Sequence, residues 1–205
     1  GTTTGVISNC SFKNNTGGVT DSNAYGVHMS GACEDLTFKN CEANQNTATG
    51  ADTAAGFHIA ESCSGLRFLN CTANNNTSVT GTCYGFGVTG SAKLLTDSLF
   101  ENCEASSNAT SGDHASAGIA CAGFAFETAS TNNRFVNCTA SGNTSATDNA
   151  GAIVAGFALG LTGANNNRFD NCVSAANTIT GAAGAVIVAG FYSTANNNLR
   201  FSGCK

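Results

Sequence analysis

Apolar and polar residues alternate in short stretches along this chain, and the stretches return at a nearly fixed interval. Ala24, Ala54, Cys83, Cys121, Val154 and Val188 each stand two residues before a Gly. A Val or Phe follows that Gly, and Met29, Ile59, Val88, Phe126, Leu159 and Ser193 stand two residues further on. A period of two marks a strand with one face buried. No segment sustains the helical period of about 3.6 residues. The pattern therefore predicts strands throughout.

A second landmark fixes how the strands are arranged. The tetrads Ile7-Ser-Asn-Cys10, Phe38-Lys-Asn-Cys41, Phe68-Leu-Asn-Cys71, Phe100-Glu-Asn-Cys103, Phe135-Val-Asn-Cys138, Phe169-Asp-Asn-Cys172 and Phe201-Ser-Gly-Cys204 place successive Cys 31, 30, 32, 35, 34 and 32 residues apart. Seven tetrads thus bound six repeats of 30 to 35 residues, and one Gly-Val or Gly-Phe falls in each. Such a repeat buries no core alone and must stack on its neighbours.

Local chemistry supplies the corners. The residue before each Cys is Asn, or Gly203 in the last tetrad, and these are the types that enter the left-handed region easily. A tight bend is predicted there. Phe135, Cys138 and Ala140 point inward on either side of the bend in their repeat, with Arg134 and Thr139 outward. Five residues after each Cys stand Asn15, Asn46, Asn76, Asn108, Asn143 and Asn177. Stacked at a strand spacing of about 4.8 Å, their amides can hydrogen-bond from coil to coil. The expected fold is all-β: a right-handed parallel β-helix of about six coils with about three short strands each, forming one domain over residues 1–205. In its Phe-x-Asn-Cys and Gly-Phe repeats and its Asn bends the whole chain resembles the pectin-lyase-like parallel β-helix family. That resemblance implies the architecture and leaves activity open, because the fold serves lyases, glycosidases, tailspikes, adhesins and structural fibres.

Eleven Cys invite a disulfide reading. Cys10, Cys41, Cys71, Cys103, Cys138, Cys172 and Cys204 share one inward position, where stacked Cβ atoms stand about 4.8 Å apart, beyond the ~3.8 Å a disulfide prefers. Free buried thiols are expected there. Cys33 pairs by register with Cys63, and Cys83 with Cys121, as candidates to bridge adjacent coils. No Cys-x-x-Cys occurs and the His are scattered, so no metal site or cofactor is expected.

Only 10% of residues are charged and the net charge is −5, which argues against a nucleic-acid partner. No apolar run is long enough to span a membrane. The acidic candidates for sugar chemistry are Asp21, Asp52, Asp113 and Asp148, each 10 or 11 residues after its Cys in the longest loop of the repeat. Paired carboxylates flanking one bond would suit a lyase or glycoside hydrolase, yet Asp also suits a solvated turn. Arg134, Arg168 and Arg200 precede the inward Phe in three successive repeats, with Arg67 earlier, and form a basic row for an anionic glycan or lipid headgroup. Partial neutralisation by Asp170 is the plainer role. His28 and His58 follow the Gly landmark in neighbouring repeats and are expected to stack outward without forming a site. Thr16, Thr47, Thr77, Thr144 and Thr178 invite comparison with an ice-binding array, which the drifting second Thr interrupts. With no Trp and three Tyr, few aromatic faces remain for a glycan.

No signal peptide is visible, and a chain that begins at Gly1 is read as processed or cut from something longer. No capping element flanks the repeats. Ile7, Phe12, Phe201 and Cys204 are therefore expected to be exposed at the two ends and to drive self-association, one copy continuing another's ladders. The leading expectation is a structural or adhesive solenoid, extracellular or on a cell or virion surface. A polysaccharide-active enzyme comes second and an ice- or glycan-binding module third.

Overall fold

A computed structural model describes residues 4–18, 22–50, 52–89, 93–112, 118–127, 129–147, 149–160, 163–180, 185–194 and 196–205. The described chain is a parallel β-solenoid without helices. The tetrads build a seven-stranded sheet running from Gly5–Ser8 through Leu36–Lys39, Arg67–Leu69, Leu99–Glu101, Arg134–Val136 and Arg168–Asp170 to Arg200–Ser202. The Gly landmarks build a six-stranded sheet from Ala24–Met29 to Ile187–Ser193, and the Thr column a six-stranded sheet of two-residue strands from Thr16–Gly17 to Thr178–Ile179. Where three strands per repeat were expected, some coils carry a fourth of two residues, such as Cys63–Ser64, Leu95–Thr96 and Ser130–Thr131.

Register follows the repeat. Phe38, Phe68, Phe100, Phe135, Phe169 and Phe201 pair one above another. Their rings stack at centroid distances of 4.6 to 5.1 Å. Facing them, Phe57, Phe86, Phe124, Phe157 and Phe191 stack at 4.8 to 4.9 Å. The two columns meet edge to face, for example Phe38 and Phe57 at 5.4 Å, an arrangement the ring quadrupole favours. The Gly of each landmark sits where the strand turns inward twice in succession. A Cβ at Gly123 would lie 2.6 Å from the Ala105 carbonyl oxygen and 2.7 Å from Ala140 Cβ, so no side chain fits.

The predicted bends form. Asn9, Asn40, Asn70, Asn102, Asn137, Asn171 and Gly203 have φ between 51° and 64°. Each exposed amide from Asn40 to Asn171 donates to the Asn one coil earlier, at 3.1 to 3.4 Å. The second ladder runs the opposite way: Asn15, Asn46, Asn76, Asn108 and Asn143 each donate to the next Asn, ending at Asn177, at 2.8 to 3.1 Å. Asn46, Asn76, Asn108 and Asn143 are fully buried. Two further left-handed columns escaped the sequence reading. One is Asn14, Gln45, Asn75, Ser107, Gly142 and Ala176; the other is Asp35, Gly65, Asp97, Asn132, Asn166 and Asn198.

All eleven Cys are free. Within the tetrad ladder each thiol from Cys41 to Cys204 donates to the carbonyl of the inward residue one coil earlier, at 3.3 to 3.6 Å. Cys therefore serves here as a small apolar residue that also satisfies a strand-end carbonyl.

Candidate functional site

Polar chemistry gathers on several outward surfaces, and of the loop Asp row only Asp52 falls among the described residues. Asp21, Asp113 and Asp148 lie outside the described residues. Asp52 accepts the Ser22 amide at 2.6 Å through Oδ2, and its backbone carbonyl accepts the Ser78 hydroxyl at 2.7 Å. Its carboxylate is engaged in holding a bend.

The Arg row forms in strict register, Arg134 beside Arg168 beside Arg200. Asp170 stands between the first two, accepting Arg134 Nε at 3.1 Å and Arg168 Nε at 2.8 Å. The Arg168 guanidinium first, and Arg134 with it, holds the Asp170 carboxyl below the usual carboxylate range. Arg67 and Arg200 have no ion pair among the described residues. Arg67 and Arg134 instead flank a groove of about 600 Å³ whose floor includes Asp35, Gly65, Asp97 and Ser98. The absence of a side chain at Gly65 opens the notch into which Asp35 leans: a Cβ at Gly65 would come within 2.3 Å of Asp35 Oδ1. Asp97 Oδ1 accepts the Asn132 amide at 3.1 Å. Two coils separate the carboxylates of Asp35 and Asp97, roughly 10 Å at the usual strand spacing. Neither Asp was singled out from sequence. The signal was present in the column Asp35, Gly65, Asp97, Asn132, all left-handed residue types three before an inward Phe.

The third surface is the outer face of the Gly-Phe sheet, and it corrects the expectation that only one face of that sheet is buried. Ala55, Tyr84, Ala122, Ala125, Ala155 and Ala158 point outward and are 0 to 1% exposed. The Tyr84 hydroxyl donates to Glu127 Oε1 at 2.5 Å. The two His do stack outward, 5.0 Å between rings, and Tyr25 stacks on both at 4.8 and 4.2 Å. They are more than surface neighbours. His28 Nδ1 and His58 Nδ1 share a hydrogen bond of 2.8 Å, and His58 Nε2 meets Thr89 Oγ1 at 2.7 Å. Burial, reinforced by the neighbouring His28, lowers the His58 pKa to about 4. Burial and the nearby Asp52 raise Tyr25 to about 12.

The Thr column pairs Thr16, Thr47, Thr77, Ala109, Thr144 and Thr178 in register. Two residues on, the outward column reads Gly18, Thr49, Val79, Ser111, Ala146 and Thr180, so a two-column Thr grid does not form. Among the described residues no group of three or more His, Cys, Asp or Glu is placed to hold a metal. Among the described residues no helix is long and apolar enough to cross a membrane.

Comparison of the chain with family models, with curated proteins and with solved structures gives no match. The fold defines a class, the parallel β-solenoid, and no family within it is assigned.

Proposed function

We propose that this chain is a structural or adhesive β-solenoid, a segment of a rod displayed outside the cell or on a cell or virion surface, built in the manner of pectin-lyase-like fibres. The carrying observation is continuity: thiol and amide ladders join successive coils, Phe columns run beside them from Phe38 and Phe57 onward, and one rim presents apolar surface. Phe201 is 49%, Val188 48% and Ile187 40% exposed, and Phe201 lines a hollow of about 540 Å³ together with Leu159, Phe191 and Leu199. A stack with unsatisfied strand edges and apolar rims gains most by adding a coil. Negative-stain electron microscopy with light scattering across a concentration series tests this. Filaments or multiples of the single-chain mass are expected, and a strictly monomeric particle at high concentration removes self-association.

The groove between Arg67 and Arg134 favours a second reading, an acidic glycan lying along the solenoid axis. Guanidiniums would pair with its carboxylates while Asp35 and Asp97 accept its hydroxyls. Calorimetric titration with a polyuronate checks this. Binding weakened tenfold or more by Arg67→Ala supports it, no heat rejects it, and release of new reducing or unsaturated ends would make the groove catalytic.

A further inference from the structure

Nine of the eleven Cys are buried or stacked in the strict register whose spacing a disulfide does not span. Cys41, Cys71, Cys103, Cys138 and Cys172 are buried in the interior, and Cys10 and Cys204 stand at opposite ends of the stack. Cys83 and Cys121 are adjacent but wholly buried, their thiols donating to the carbonyls of Asn76 and Asn108 at 2.9 and 3.1 Å. Burial raises the Cys121 thiol well above its ordinary range.

Cys33 and Cys63 differ in that Cys33 lies outside the strands and the pair borders a surface hollow, although Cys63 itself is buried. They occupy one register position in neighbouring coils, since the next residues, Glu34 and Ser64, form a bridge and the Ser64 amide donates to the Cys33 carbonyl at 3.0 Å. The Cys33 amide donates to Cys63 Sγ at 3.3 Å. Both sulfurs approach the same acceptor, Gly31 O, at 3.3 and 3.9 Å. Cys33 is partly exposed. The pair opens into a surface hollow of about 320 Å³ whose walls include Ala32, Glu34, Ser62 and Leu94. Strict parallel register holds stacked Cβ atoms too far apart for a disulfide by about 1 Å. Cys33 lies between strands rather than within one, so closing the disulfide needs a shift of about 1 Å there and not in a paired strand.

We propose that Cys33 and Cys63 form a reversible oxidation site, a dithiol that closes into a disulfide joining two coils on exchange with a small disulfide such as oxidised glutathione. The Cys33 thiolate, the more accessible, attacks one glutathione sulfur; a protein–glutathione disulfide forms and one glutathione thiolate leaves. Cys63 gives up its proton and attacks Cys33 Sγ, and the second glutathione leaves as its thiolate. The two protein thiols are thereby oxidised and one glutathione disulfide is reduced to two thiols. Burial raises the Cys63 thiol to about 11. Closure is therefore the slow step and quickens as pH rises.

The test incubates the full chain at mild alkaline pH in glutathione buffers of graded oxidised-to-reduced ratio, followed by denaturing alkylation and peptide mapping by mass spectrometry. Two of the eleven thiols should become protected, in one linked peptide pair carrying Cys33 and Cys63, and a reductant should restore both. Cys63→Ser should leave Cys33 trapped as the mixed disulfide, and Cys33→Ser should leave Cys63 unmodified, with circular dichroism unchanged in both. Eleven alkylatable thiols at every ratio, or protection at another pair, overturns the proposal. Should a Ser variant misfold, the oxidised wild type still decides, because the linked peptide either appears or does not.

Discussion

His28 and His58 hold equivalent positions one coil apart, yet only His58 is buried, 5% exposed. Its side chain titrates near 6.5 in an unfolded chain and about 4 when folded, so between those values the unfolded state binds more protons. The sign follows: the contribution is whole above about pH 6.5 and is lost as pH falls toward 4, for a total on the order of 3 kcal/mol. Urea midpoints measured at pH 7, 5 and 4 should fall more steeply for wild type than for His58→Gln, and parallel curves would refute the linkage. Burial also grades the aromatic column. Phe135 is fully buried, while Phe201 in the same column is 49% exposed. Phe135→Ala should cost about 3 to 5 kcal/mol through a cavity walled by stacked rings. Phe201→Ala should cost about half of that, since half its surface already meets water. Chemical denaturation of the two variants checks the order.

The two amide ladders use one residue type for different purposes, and glycine substitution separates them. Asn102 is exposed at φ 53°, and its role is to make the bend; Gly203 does the same work in the last repeat, so Asn102→Gly should stay within about 1 kcal/mol of wild type. Asn108 is buried, and its Oδ1 accepts both the backbone and the side-chain amide of Asn76 at 3.1 and 2.9 Å. Asn108→Gly leaves both donors without an acceptor in the core and should cost about 2 to 4 kcal/mol. Equal losses would show that burial of the ladder is irrelevant. This contrast also marks what sequence made legible. The bend before each Cys was readable because only Asn and Gly occur there. The bend at Gln45 and Ser107 was not, because residue preference does not mark it and coil-to-coil hydrogen bonds hold its left-handed φ. The buried outer face was likewise concealed, because side chains as small as those of Ala55, Ala122 and Ala155, each fully buried, carry no signal of which face is covered. The groove carboxylates were missed because Asp35 and Asp97 share a column with Gly65 and Asn132, and only the fold shows that the Gly is a notch.

At the scale of the molecule, seven tetrad strands stacked at about 4.8 Å make a column only about 30 Å tall. A coil bonds to its immediate neighbours alone, so stability is a sum of repeat and interface terms. The rim near Phe201 is also stepped: the tetrad sheet has seven strands where the Gly-Phe and Thr sheets have six. A second copy set with Gly5–Ser8 against Arg200–Ser202 would leave one strand place vacant in each of the other two sheets. The simple expectation that one copy continues another without a break is thus modified. Under the proposed end-to-end stacking, a seated copy has to supply strands beside Thr178–Ile179 and Ile187–Ser193 as well as cover Phe201. Such a contact is heterologous, and it propagates as a fibre unless it closes into a ring. Phe201→Asp places a charge in the apolar hollow at the rim, where burial without a partner costs several kcal/mol. That variant should lower the mass measured by light scattering to that of one chain while the melting transition of the remaining coils, followed by circular dichroism, moves little. Assemblies that persist unchanged in Phe201→Asp would place the contact elsewhere on the molecule.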